Sequence, residues 1–384
     1  MTVFMATDFR IGRYEGRYYF RSKYYHIVRR YYEAFGPIVL FTRIQEAGSL
    51  PPGSDGTDML ENVVPIGSLT QVLAGRYRRQ IRSAMAGCSL AVCRFPSVPA
   101  YAAAAAAVGA GIPVFAECMG DAWDASWNHG LSGKLLAPYY HLSMKKWVRR
   151  ADYALYVTES TLQKRYPCPR RSAAASNVSL PDRDGRDLLR SRLSRADRMD
   201  PSRPVLLSAG APDNPSKGYD TVIRALPLLK AAGIDARYRI AGPGSGDRLT
   251  ALAKSLGAED RLELLGELTP GEMEAAMEEA DIYLQPSLQE GLPRAVIEAM
   301  ATGCPCIGSR AGGIPELIPE KYLIAKRDPA DLCRKVVLLC SRDELKRAAE
   351  DSYARSARYA RGIPDRTRSA YFDYVKASLD RNDR

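Results

Sequence analysis

The stretch PSLQEGLPRAVIEAMATGCPCIGSRAGGIPELI, residues 286–318, decides the reading of this chain. It runs as strand end, glycine turn, helix, strand, glycine turn, helix. Pro293 suits the first turn of a helix reaching about Ala301, with Gly303 as its stop. Gly291 lets backbone approach a ligand closely, and the free N–H groups at that helix start suit an anion. Glu290 falls in the turn and Glu298 inside the helix, eight positions on. From that spacing two carboxylates reach different hydroxyl clusters of one extended ligand. Gly312-Gly313, followed by Pro315, offers a second N–H-rich turn, and in open α/β sheets ligands collect at such strand ends. Singly, either glutamate reads equally well as a solvated residue; the whole run reads as a binding site.

Working outward, short β-rich apolar runs alternate with amphipathic stretches on both sides, the pattern of parallel sheets wrapped by helices. Strands are expected at Thr2–Thr7, Ile38–Thr42, Leu90–Cys93, Pro113–Glu117 and Tyr153–Val157, then at Val205–Ser208, Tyr238–Ala241, Leu262–Leu265, Ile282–Gln285 and Pro305–Gly308. Thr269-Pro270-Gly271-Glu272 is a capping box, and Met273, Ala276, Met277 and Ala280 after it keep the spacing of a core-facing stripe. The charged, Pro- and Gly-punctuated segment Pro181–Pro204 reads as the interdomain connection, with a surface helix over Asp187–Arg195. The expected domains are residues 1–198 and 199–360, with a C-terminal helix at 361–384 packing back on the first.

With 384 residues, 46% of them hydrophobic and 26% charged, the chain has ample material for two cores. No apolar run approaches the ~20 residues of a membrane span, and MTVFMATDFR is not a signal peptide. Eight cysteines without a CxxC pair read as free thiols in a reducing cytosol. A cytoplasmic chain, soluble or peripheral on the inner face of the plasma membrane, is expected. Its net charge of +11 sits entirely in residues 1–200, where 28 Lys and Arg face 17 Asp and Glu. That asymmetry argues for two units with different partners.

With these motifs in view, residues 286–318 resemble the signature of glycosyltransferase family 4: Glu-Gly-Leu-Pro, Glu-Ala-Met-Ala, Gly-Cys-Pro, and Gly-Gly-Ile-Pro-Glu-Leu-Ile. The resemblance is strong from Val205 to about Ile318 and weak before that. It implies a GT-B fold, two Rossmann-like domains facing across a cleft. The implied activity is retaining transfer of a sugar from a nucleotide-diphosphate donor to a hydroxyl of a glycan or lipid-linked acceptor, as in bacterial surface-polysaccharide synthesis. By that resemblance Glu290 contacts the donor sugar, Glu298 the ribose, and the amides of Gly291 and Leu292, beside Pro293, the sugar and diphosphate. LLSAGAPDNPSKGYD resembles the turn that meets the diphosphate: Lys217 and Gly218 match, as does Gly210, but Ala211 stands where the family often has Arg, leaving Lys217, helix N-termini and Arg294 for that charge. AGPGSGD, with Gly242, Gly244 and Gly246, resembles the glycine turn near the nucleotide, and Gly266 to Leu268 the segment beside the base. Gly312 and Gly313 complete the donor side. No metal or other cofactor is implied, and no Asp-x-Asp motif stands in a suitable loop. A nucleotide-sugar-binding protein that has lost transfer and a soluble enzyme acting on a small metabolite stay open as alternatives. An NAD-type oxidoreductase is excluded, because no G-x-G-x-x-G follows the first strand.

In the first half Gly120-Asp121 stands where many family members carry His-Asp. Asp121 is therefore the first-domain catalytic candidate, and His129 a weaker one. His129 and His141 have no partners at metal spacing. Residues 13–36, RYEGRYYFRSKYYHIVRRYYEAFG, read on one helix present Tyr18, Tyr25 and Tyr32 with Arg17, Arg21, Lys23, Arg29 and Arg30 around them. Three readings compete: an ordinary packing helix, a patch leaning on an anionic membrane, and nucleic-acid binding, for which no module is recognised and which is set aside.

Overall fold

The computed structural model describes residues 1–128, 130–181 and 185–382. The candidate His129 lies outside the described residues. Two compact units emerge, one from Met1–Trp127, Leu131–Ala175 and the chain from Asp365 onward, the other taking in Ser176–Pro364.

The first unit holds a nine-stranded sheet. Its strands are β1 (Val3–Tyr14), β2 (Arg17–Phe20), β3 (Ile38–Glu46), β4 (Ser54–Asp55), β5 (Leu60–Ile66), β6 (Leu90–Phe95), β7 (Val114–Cys118), β8 (Tyr153–Tyr156) and β9 (Arg171–Ala174). The strands from β5 through β3, β1, β6, β7 and β8 to β9 are parallel, whereas β2 and β4 add antiparallel, so this sheet is mixed. β6 and β7 are buried along their whole length, as expected of strands covered on both faces.

The reading of residues 13–36 as one helix is corrected here. Glu15 and Gly16 both take positive φ, +48° and +75°, and turn β1 back on itself as a hairpin. Tyr18 therefore lies on β2, and the helix begins only at Ser22, running to Phe35. Two of its tyrosines turn inward, Tyr24 stacking on Phe9 with ring centroids 4.0 Å apart and Tyr31 buried against Phe115 and Phe372, and only Tyr32 stays exposed. Arg17 pairs with Asp55 and Arg29 with Glu33. The broad exposed tyrosine face does not form.

The second unit is a six-stranded, all-parallel sheet of β10 (Val205–Ala209), β11 (Arg237–Ala241), β12 (Leu262–Gly266), β13 (Ile282–Gln285), β14 (Cys306–Ser309) and β15 (Leu323–Ile324). Strand order is β12-β11-β10-β13-β14-β15. From β10 the chain builds outward to β12, then returns to place β13 on the other side of β10. That reversal opens the switch point between β10 and β13, where side chains from two loops converge. The capping box at Thr269 forms in both directions, and Met277 behind it is buried. Cys304 and Cys306 are buried free thiols.

The boundary expected at residue 198 moves to Ala175. The helix Gly185–Arg198 belongs to the second unit because its arginines are anchored there. Arg192 donates to the carbonyls of Met277, Ala280 and Thr302, which close two helix C-termini, and Arg195 pairs with Asp281 at 3.0 Å. Charge that looked like a solvated linker is capping chemistry. At the other end, the helix Ile363–Asn382 returns to the first sheet. There Phe372, Val375 and Leu379 are buried, and Tyr153 donates to Ser378 at 2.9 Å.

Candidate functional site

The loops after β10 and β13 bring Lys217 and Glu290 together. Asn214 caps a short turn at Pro215–Lys217, and Gly218 leaves it in the left-handed conformation, φ +68°. A Cβ on Gly218 would stand 2.2 Å from the carbonyl oxygen of Pro286, so only glycine lets the two loops touch. The Leu288 amide donates to Ser216 across the same contact at 2.7 Å. The Lys217 ammonium then reaches Glu290 Oε1 at 2.8 Å.

Glu290 Oε1 also accepts from Gln285 Nε2 at 2.9 Å and from Ser287 Oγ at 2.8 Å. Gln285 and Ser287 are buried. Gln285 is fixed in turn by the Tyr283 hydroxyl, which donates to its Oε1 at 2.9 Å while accepting from the Ala209 amide. Two short, buried donors thus hold the carboxylate from the sheet side, and the long lysine holds it from the open side. Lys217 can leave for another anion without releasing Glu290.

Beside this pair lies the buried Tyr219 hydroxyl, which has no hydrogen-bond partner and would stand 2.9 Å from a Cβ on Gly210. Burial and the Glu290 charge push its pKa well up, so it remains a neutral donor.

The glycine turns divide into two kinds. Gly291 and Leu292 present N–H groups without a protein acceptor among the described residues, just before the helix Arg294–Ala301. Pro293 takes the position before that helix rather than its first turn, and Gly303 closes it at φ +68°. The amides of Gly242, Ser245, Gly246 and Gly313 are already engaged. Gly313 donates to Gly291 at 2.6 Å, so the second glycine turn supports the first. After β11, the amides of Ser245 and Gly246 donate to the two carboxylate oxygens of Asp213, both at 2.9 Å. Gly242 and Gly244 serve close packing: a Cβ on either would meet Gly210 or Asp213 at 2.4 Å. Gly242 also donates to Gly266 at 2.7 Å, and Leu268, half-buried, packs on the core beyond.

Glu298 sits in the second turn of the helix Arg294–Ala301, half-buried, with Arg294 at 3.4 Å. Arg294, the arginine expected to share the diphosphate charge, makes this ion pair with Glu298.

In the first unit Asp121 has structural partners on both oxygens. Oδ1 caps the helix Ala122–Trp127 by accepting from the Trp123 and Asp124 amides, and Oδ2 pairs with Arg165 at 2.7 Å. Tyr166, buried, donates to Oδ1 at 3.0 Å and meets His141 Nδ1 at 3.0 Å. Burial, helped by Arg165, lowers the His141 pKa and keeps the ring neutral. Sequence reasoning missed this Asp121–Tyr166–His141 relay, since the three are far apart along the chain. It missed Gln285, Ser287 and Tyr219 as well, although two polar residues closing the apolar run IYLQPS were a visible signal.

Among the described residues no group of three or more His, Cys, Asp or Glu is placed to hold a metal ion.

Residues 203–342, the sheet that carries this site, match the family described as Glycosyl transferases group 1. The protein CapJ of Staphylococcus aureus is 24% identical over 344 residues, covering 88% of this chain and 85% of CapJ. WcaL of Escherichia coli strain K12, named for colanic acid biosynthesis, is 30% identical over 230 residues, 56% of this chain. The chain spans about half of WcaL's length, 54%. Among solved structures, HepE from Anabaena in complex with UDP superposes with a TM-score of 0.64 at 14% identity, over 98% of this chain and 99% of that one. The fold is GT-B, built from two Rossmann-like sheets. The chain thus has the GT-B fold, carries a match to Glycosyl transferases group 1 over its second sheet, and is similar to glycosyltransferases named for colanic acid and amylovoran biosynthesis.

Proposed function

We propose that this protein is a retaining glycosyltransferase that moves a sugar from a nucleotide diphosphate to a hydroxyl of a growing glycan or lipid-linked acceptor, at the cytoplasmic face of the membrane. The observation that carries the reading is the meeting of Lys217 and Glu290 at the switch point between β10 and β13. An ammonium, open backbone N–H groups at Gly291 and Leu292, and a fixed carboxylate beside them suit a sugar joined to a diphosphate.

In this reading Lys217 turns from Glu290 to the diphosphate. Glu290, held by Gln285 and Ser287, accepts hydrogen bonds from hydroxyls of the sugar. The N–H groups of Gly291 and Leu292 steady the charge that grows on the departing phosphate, and Glu298 receives the ribose. The resemblance to family 4 supports a front-face reaction, in which the leaving diphosphate helps take the acceptor proton and the protein's part is positioning. Asp121 shapes the acceptor-side turn through its cap and holds Tyr166 and His141 in register.

Ala211, in the place of a family arginine, favours one second reading, a protein that binds nucleotide sugar without transferring it. A thermal-shift panel of UDP-, GDP-, ADP- and TDP-sugars followed by turnover on lipid-linked acceptors tests both. We expect one nucleotide class to raise Tm by mass action and to give a product of retained anomeric configuration. Inverted product removes the retaining assignment, binding without turnover favours the second reading, and no shift with any donor removes both.

A further inference from the structure

The helix Gly130–Arg150 carries apolar side chains on opposite sides. Ala137, Met144 and Val148 are buried in the first unit. Leu131, Leu135 and Leu142 are 80%, 82% and 63% exposed, with Tyr139 half exposed among them. At about 100° per residue these four share an arc of about 80°, nearly opposite the buried three. A surface helix needs one apolar stripe for its own core; this one has a second, in solvent.

Charge accompanies the second stripe. No acidic residue occurs between Asp124 and Asp152, while the helix carries Lys134, Lys145, Lys146, Arg149 and Arg150. By helical spacing Lys134 and Lys145 follow one edge of the stripe and Arg150 the other, while Lys146 and Arg149 fall within its arc toward the C-terminal end. Lys134 also lies over the half-exposed ring of Trp127, 5.7 Å from its centroid. Nearby, Tyr139 and Trp147 line a hollow of about 300 Å³ with Arg78 and Arg82 on its wall.

We propose that this helix docks the first unit on an anionic lipid surface, lying in the membrane plane with Leu131, Leu135 and Leu142 among the acyl chains and the lysines at the headgroups. Exposed leucines edged by cations and flanked by amphipathic aromatic rings match that boundary. A second copy of the chain fits worse, since a two-fold contact through this face would set the same cations against one another. Docking stands apart from the transfer chemistry and does not depend on it.

Co-sedimentation of the full chain with vesicles tests the proposal. Wild type should pellet with phosphatidylglycerol-containing vesicles and stay in the supernatant with phosphatidylcholine alone. The combined Leu131→Asn, Leu135→Asn and Leu142→Asn variant, altered only at exposed positions and checked by an unchanged Tm, should bind about tenfold or more weakly. Lys134→Gln, Lys145→Gln and Lys146→Gln together should weaken binding and flatten its salt dependence, whereas Arg17→Gln with Arg29→Gln should change neither. The proposal is overturned if wild type stays in the supernatant with both vesicles, if the leucine variant pellets like wild type, or if velocity sedimentation shows the leucines joining two chains without vesicle binding.

Discussion

Gly312 and the backbone of Glu290 occupy adjoining space so tightly that a Cβ on the glycine would fall 1.9 Å from the Glu290 carbonyl oxygen. With φ at +50°, Gly312 also holds a conformation that side chains disfavour. Gly312→Ala should therefore push the Glu290 loop outward. Expected are a loss of about 1–3 kcal/mol in stability and a matching fall in donor affinity, read by denaturant unfolding and calorimetry.

Glu298→Ala separates binding from folding. The residue is half-buried, and its pairing with Arg294 one helical turn away is worth only tenths of a kcal/mol. Tm should hold while the donor Kd rises about tenfold, the loss expected for one hydrogen bond to a charged group. Unchanged donor affinity would take Glu298 out of the ribose contact.

Tyr219→Phe addresses the buried hydroxyl that has no partner. If it serves a phosphate oxygen, donor Kd should rise by about tenfold. Tm without ligand should hold or rise, because removing an unpaired buried hydroxyl relieves a desolvation cost. A Kd equal to wild type would leave Tyr219 as packing alone.

Acid sensitivity should trace to Glu117. Burial alone would raise its pKa, but the buried Arg94 guanidinium beside it outweighs burial and holds it below the usual carboxylate value. A depressed folded pKa stabilises the protein above the unfolded value of ~4.3, and that stability disappears as pH falls through the folded value. Glu117→Gln should cost about 3–5 kcal/mol at neutral pH, by leaving Arg94 uncompensated, and should flatten the loss of stability below pH ~4. Urea unfolding across pH 3–7 reads both effects.

Five of the six strands of the second sheet were legible to within a residue or two, because parallel strands are continuous apolar runs broken by glycine and proline turns; the two-residue β15 was missed. The pairing of Lys217 with Glu290 was not. Both residues were named, but the contact between them arises from strand order, which places β13 beside β10 across 73 residues of chain. β2, β4 and β9 escaped because they are short edge or near-edge strands of two to four residues, too brief for periodicity to register, and the seven-residue edge strand β5 escaped because Glu61, Asn62 and Pro65 interrupt its apolar run. The hairpin at Glu15-Gly16 misled for a different reason. Tyr18, Tyr25 and Tyr32 keep a seven-residue interval that suits a helix, and a single left-handed turn overrides it. Arg192 shows the converse, a charged residue buried because three carbonyls need its donors.

The last helix lies on the first sheet, and this reverses the order in which the protein can be finished during synthesis. Tyr31 and Phe35 wait for Phe372, a partner made more than three hundred residues later, so the N-terminal core stays open while the later unit has all its own strands. A ribosome stalled before Asp365 would display a closed second unit and an unsealed amino-terminal unit, the one most exposed to proteases and chaperones.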